Sequence, residues 1–119
     1  MTDGNGLRVF VVEDEMTIAL MIEDMLLDLG HRIAGLAMRL SPAMDMARTV
    51  EADVAVLDVN LDGHRSFPIA AILRERGVPV LFATGYGARG LEPPFESNPV
   101  IQKPFDVRDL QAALTCVTG

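Results

Sequence analysis

The apolar positions of this chain change period several times, and each change marks an expected element. LRVFVV (7–12) is a short, mostly apolar run closed by Glu13, Asp14 and Glu15, which suits a buried strand. After Glu15 the spacing lengthens. Ile18, Ile22, Met25, Leu26 and Leu29 share one helical face, and Gly30 ends the helix. HRIAGLA (31–37) reads as a second, weaker strand. SPAMDMARTVE (41–51) opens with Ser41 as N-cap and Pro42 at the first helical position. ADVAVLD (52–58) is the clearest strand. SFPIAAILRERG (66–77) predicts a helix ending at Gly77, and VPVLFAT (78–84) the strand after it. PVIQK (99–103) is the last strand. It precedes a helix capped by Asp106, with Leu110, Leu114 and Val117 facing inward.

Strands alternating with helices predict an α/β domain, its parallel sheet covered on both faces. The interval GYGARGLEPPFESN (85–98) breaks the alternation. Three glycines and a Pro-Pro pair predict a loop there, or at most one or two helical turns. Residues 1–6 read as a flexible leader, and no internal repeat or low-complexity tract interrupts the rest.

Composition narrows the class. With 119 residues, half of them apolar, the chain suits a single domain over 1–119 with a continuous core. A net charge of -7 argues against direct binding of nucleic acid. The single cysteine, Cys116, cannot form an internal disulfide, so nothing calls for an oxidising compartment. The polar start MTDGNG lacks the layout of a signal peptide, and no apolar run approaches the roughly 18 residues that span a bilayer. The expectation is a small soluble domain of the cytoplasm, without a membrane or nucleic-acid partner.

Candidate chemistry gathers at the expected strand ends. The first strand runs into Glu13-Asp14, the third ends in Asp58, the fourth in Thr84 and the fifth in Lys103. Open parallel sheets bind ligands beyond these carboxyl ends. Three carboxylates brought together repel and raise one another's pKa, and a hard cation such as Mg2+ relieves them. A carboxylate left free to attack can then accept a phosphoryl group, whose oxygens metal, hydroxyl and ammonium stabilise. Lys103 is the only lysine in the chain; the other nine basic residues are arginine. A compact ammonium suits a small oxyanion better than a flat fork does.

DVNLDG (58–63) also imitates the start of a calcium loop, with Asp58, Asn60 and Asp62 alternating before Gly63. That reading needs a preceding helix and a twelfth-position Glu. Here the preceding ADVAVL predicts a strand, and the twelfth residue is Ile69. Asp62-Gly63 reads more simply as the turn into the next helix. His64 reads as an exposed loop residue, His31 carries no signal, and Met16, Met21 and Met25 read as helix filling.

Taken together, Glu13-Asp14, Asp58, Thr84-Gly85 and Lys103-Pro104 resemble the receiver domain of two-component response regulators across essentially the whole chain. That resemblance implies a flavodoxin-like fold, with five parallel strands in the order 2-1-3-4-5. It also implies that Asp58 is the phosphoacceptor. Mg2+ would be bound by Asp14 directly, by Glu13 mostly through water, by Asp58 and by the Asn60 carbonyl. Thr84 and Lys103 would hold the phosphoryl oxygens, and the Lys103–Pro104 bond would be cis. FATGYG (82–87) further resembles a subgroup of single-domain receivers that work with histidine kinases in bacterial stress or nutrient signalling, with the fourth helix short or absent.

Two departures stand out. The family's aromatic three residues before the lysine is Val100 here, leaving Tyr86 either as a replacement switch or as a shield against water. The usual Met-Pro turn after the acceptor is replaced by Asn60-Leu61-Asp62-Gly63. The expected partner is a sensor histidine kinase, possibly hybrid, or a phosphotransfer protein. The domain itself is expected to be monomeric or weakly dimeric and to turn over no separate substrate. It would signal by protein contact or act as a phosphate sink; the alternative is a receiver-like binding module that is never phosphorylated.

Overall fold

The computed structural model describes residues 6–85 and 91–118. Strands β1 (Arg8–Val12), β2 (Arg32–Ala37), β3 (Val54–Asp58), β6 (Val80–Thr84) and β7 (Val100–Gln102) form one sheet in the order β2-β1-β3-β6-β7, every pair parallel. Helices α1 (Met16–Asp28), α2 (Leu40–Ala47), α3 (Phe67–Glu75) and α4 (Val107–Thr118) cover it. This is the flavodoxin-like order that the resemblance implied. A two-stranded hairpin, β4 (Asn60–Leu61) with β5 (His64–Arg65), follows β3 and has no counterpart in the expected elements.

Strand alternation divides the core in two. Val9, Val11, Val54, Val56, Leu81 and Ala83 face Ile22 and Leu26 of α1 and Leu110 and Leu114 of α4. Phe10, Val12, Ala55, Leu57, Val80 and Phe82 face Ala43 and Ala47 of α2 and Ile69, Ala70 and Leu73 of α3. Successive residues of β1 from Val9 on, and of β3 and β6 throughout, are therefore all buried, which is why these strands read as continuous apolar runs.

The described residues between β6 and β7 form turns rather than a helix. Phe95 fills the space on that face, stacked on Phe67 with ring centroids 5.8 Å apart and edge-on to Phe82. Asn98 secures the segment by donating its side-chain amide to the Val80 carbonyl at 3.1 Å.

Two local expectations are corrected. Ser41 is not the N-cap: α2 starts at Leu40, after an extended Arg39 whose carbonyl accepts from Ala43. Pro42 is then the third helical residue, still within the first turn, where its missing N–H would have no intrahelical acceptor anyway. Met16 and Met21 do not fill the core; they are exposed on α1, as are Leu20 and Leu27. Gly30 does end α1, at φ +89°. Asp106 caps α4 in a reciprocal pair, its Oδ1 accepting from Asp109 N and Asp109 Oδ2 accepting from Asp106 N, both at 3.0 Å.

Ser66, at the start of α3, is fully buried, and its hydroxyl has no hydrogen-bond partner among the described residues. Ser66→Ala is therefore expected to raise stability by about 1 kcal/mol, measured by urea unfolding.

Candidate functional site

Ladder hydrogen bonds continue one residue beyond several strands and so hold the site rigidly. Glu13 N donates to Ala37 O at 3.1 Å, Val59 N to Ala83 O at 3.1 Å, and Lys103 N to Thr84 O at 2.9 Å. In register, Val12 lies beside Leu57, Asp58 beside Ala83 and Thr84 beside Gln102. The residues ending or following these strands therefore emerge at one edge of the sheet.

Lys103 ties the site together. Its Nζ donates to Glu13 Oε1 at 2.8 Å and lies 3.2 Å from Asp58 Oδ2. Carboxylate oxygens of Glu13, Asp14 and Asp58 lie within 4.8 Å of one another. Glu13 is almost wholly buried, and its second oxygen accepts from Glu15 N at 3.1 Å. Asp58 Oδ1 receives a long contact of 3.5 Å from Asn60 N, and Asp14 Oδ2 accepts from Asp62 N at 3.0 Å. Thr84 is buried at the end of β6, Asn60 is exposed on β4, and the Lys103–Pro104 bond is cis. Tyr86 lies outside the described residues. Among the described residues, every other candidate is brought to this edge. His64 is exposed on β5, and a strand rather than a helix precedes Asp58, so the calcium-loop geometry is absent there.

Burial is the main force on the carboxylates. It pushes Glu13 up to about 7, reinforced by the Asp58 charge and opposed by Lys103. It also raises Asp58, against the pull of Lys103. Burial works to raise Asp14 as well, but hydrogen bonds with Glu13 and the Asp62 amide outweigh it and leave that carboxyl below its ordinary value. For Lys103 burial works downward, and the two carboxylates overcome it, leaving the ammonium firmly protonated.

Glu13 binds its proton more tightly folded than unfolded, so its contribution is complete below about pH 4.5 and lost as pH rises through about 7. A displacement of that size corresponds to roughly 3 kcal/mol. Urea unfolding in Mg2+-free buffer should give lower stability at pH 8 than at pH 5, with saturating Mg2+ restoring most of the difference at pH 8.

The donor set fits a hard divalent cation. Three carboxylates share one mouth, two have pKa values raised chiefly by burial, and the Lys103 ammonium opposes them. Sequence reasoning did not find the Asp62 amide. Its signal was the Asp-Gly pair, which marks a two-residue hairpin turn when short strands flank it.

A parallel sheet of this order, with an acidic cluster and a lysine at its carboxyl edge, defines a flavodoxin-like signalling domain. The family model for the response regulator receiver domain matches residues 9–115, and the chain belongs to that family. It is 30% identical over 116 residues to the phyllosphere-induced regulator PhyR of Methylorubrum extorquens, covering 91% of this chain and 42% of that protein. The chain thus spans about half the length of the curated relatives it matches. SdrG from Sphingomonas melonis Fr1 superposes with a TM-score of 0.85 at 34% identity, covering 98% of this chain and 100% of that one. The BeF3-activated conformation of SdrG, described from Pseudomonas melonis Fr1, superposes at 0.81 with 35% identity over 94% and 96% of the two chains. The chain is a receiver domain of bacterial two-component signalling, a class that generally signals rather than turns over substrate and that implies a phosphodonor such as a histidine kinase. Among the described residues no helix is long and apolar enough to cross a membrane.

Proposed function

We propose that Asp58 accepts a phosphoryl group from the phosphohistidine of a sensor histidine kinase, a hybrid kinase or a phosphotransfer protein. The observation that carries this reading is the position of Asp58. It ends a fully buried central strand, contacts Lys103, and shares a mouth with Glu13 and Asp14. An Asp58 oxygen forms the new bond to phosphorus, the bond to the donor imidazole nitrogen breaks, and that imidazole leaves with the electron pair.

Asp14, Glu13, Asp58 and the Asn60 carbonyl would hold Mg2+, which when bound neutralises charge on the transferring oxygens. Lys103, placed between Glu13 and Asp58, supplies a point charge to a phosphoryl oxygen, and the Thr84 hydroxyl supplies a donor to another. Buried walls strengthen these interactions. The donor would seat on α1, which begins two residues after Asp14 and exposes Met16, Leu20, Met21 and Leu27.

We place the domain in the cytoplasm, where such donors are charged, and read its output as altered protein contact or withdrawal of phosphate from a shared kinase. PhyR of Bartonella quintana, 27% identical to this chain in a variant structure, is described as an anti-anti-sigma factor. A protein-contact output is in keeping with that relative. Incubation with acetyl phosphate should give a phosphoprotein by intact mass with Mg2+ and none with EDTA. No phosphoprotein in either condition would overturn the reading.

A further inference from the structure

The hairpin β4–β5 stands between β3 and α3, and its tip touches the acidic cluster. Asp62 N donates to Asp14 Oδ2 at 3.0 Å across 48 residues of sequence. Asp62 has φ +50° and Gly63 φ +86°, the signs of a mirror-type two-residue turn, with Leu61 paired to His64 and Asn60 to Arg65.

The ribbon is anchored well enough to impose that amide's position. The Leu61 side chain is buried in the core, Ser66 N donates to Val59 O at 2.9 Å, and the Arg65 guanidinium lies 5.8 Å from the Phe67 ring centroid. Among the three carboxylates, Glu13 and Asp58 are steadied by Lys103; Asp14 is the more exposed one and is held by the Asp62 amide.

We propose that the Asp62 amide, presented by the Asp62-Gly63 turn, is a positioning group for Asp14 as a ligand of a divalent cation. The bond fixes Oδ2 of a carboxylate that offers an oxygen within 4.8 Å of those of Glu13 and Asp58. A ligating carboxylate held in this way loses less freedom when the ion binds, as outer-sphere hydrogen bonds do for metal ligands generally. The inference rests on the metal-pocket reading above.

Gly63 offers a clean test. A Cβ built there meets nothing within 4 Å, so substitution perturbs the backbone conformation without a clash. Alanine disfavours a positive φ, whereas asparagine tolerates it. Calorimetric titration of Mg2+ into the wild type, Gly63→Ala and Gly63→Asn, with metal-free melting temperatures alongside, should show about tenfold weaker binding for Gly63→Ala. Gly63→Asn should recover affinity. A purely structural role would lower the melting temperature and leave the affinity unchanged.

Wild-type affinity in Gly63→Ala, or equal loss in both variants, would overturn the proposal while leaving the metal pocket standing. No Mg2+ binding by the wild type would overturn both. Should Gly63→Ala fail to fold, hydrogen exchange in the wild type decides. The Asp62 amide is expected to be protected in the Mg2+-loaded protein, and exchange at the rate of an unstructured peptide would overturn the proposal.

Discussion

Asp58→Ala is expected to abolish phosphoprotein formation with acetyl phosphate and Mg2+, with unreacted intact mass after incubation as the readout. Three carboxylates share the pocket, but their surroundings differ. Glu13 is nearly inaccessible, with one oxygen on Lys103 and the other on the Glu15 amide. Asp14 Oδ2 already accepts from the Asp62 amide. Asp58 has one oxygen beside the ammonium and retains some exposure, 8%, at the mouth. A nucleophile must be reachable and must have charge stabilisation beside the oxygen that attacks, and Asp58 meets both conditions. The alanine variant keeps the strand, because Asp58 enters the ladder through its backbone and no core contact depends on its carboxylate. A phosphoprotein that persists in Asp58→Ala would move the acceptor to another side chain.

Lys103→Ala is expected to destabilise the protein by about 3–5 kcal/mol at pH 8 and clearly less at pH 5. The ammonium opposes two buried carboxylates at 2.8 and 3.2 Å, and its loss leaves Glu13 charged in a site almost without water contact. Such a group escapes by taking up a proton, so its pKa would rise above the present value of about 7. At pH 5 Glu13 is already largely protonated in both proteins, so the charge lost there is that facing Asp58 alone. At pH 8 the wild type keeps a paired charge, while the variant must hold either an unpaired charge or a proton against the solvent gradient. Urea unfolding of both proteins at the two pH values reads the difference directly. Equal losses at pH 5 and pH 8 would show that packing of the lysine stem, rather than charge, carries the effect.

Much of the fold was legible in the chain because its signals are local. The continuous apolar runs of β1, β3 and β6 come from burial on both faces, and the helical spacing of Ile22 and Leu26 or of Leu110 and Leu114 reflects a single buried stripe. The strand-end positions of Glu13, Asp14, Asp58, Thr84 and Lys103 were legible for the same reason: polarity begins where the sheet stops. Cap identity was less so. Ser41-Pro42 has the chemistry of a helix start, yet the chain bends at Arg39 to bring Ala43 and Ala47 onto the sheet. Met16 and Met21 show the limit of apolarity as a sign of burial, since a helix lying on a sheet leaves its far side to solvent.

By itself, then, the sequence determined the alternation of strands and helices, the two-sided burial of the sheet and the polar residues at its edge. Each is written in residues a few positions apart. Tertiary structure decided the contacts between distant segments. His31, silent in the sequence, is buried; its Nδ1 accepts from Leu7 N at 3.1 Å and its Nε2 lies 3.1 Å from Gln111 Oε1, 80 residues away. Arg76, at the end of α3, donates to the Ala47 and Val50 carbonyls at 2.8 Å and so closes the end of α2. The Asp62 amide reaches Asp14 only because β1 and β3 are neighbours and the hairpin folds back over the sheet edge. These pairings depend on strand order and register, which arise from packing of the whole chain rather than from local periodicity.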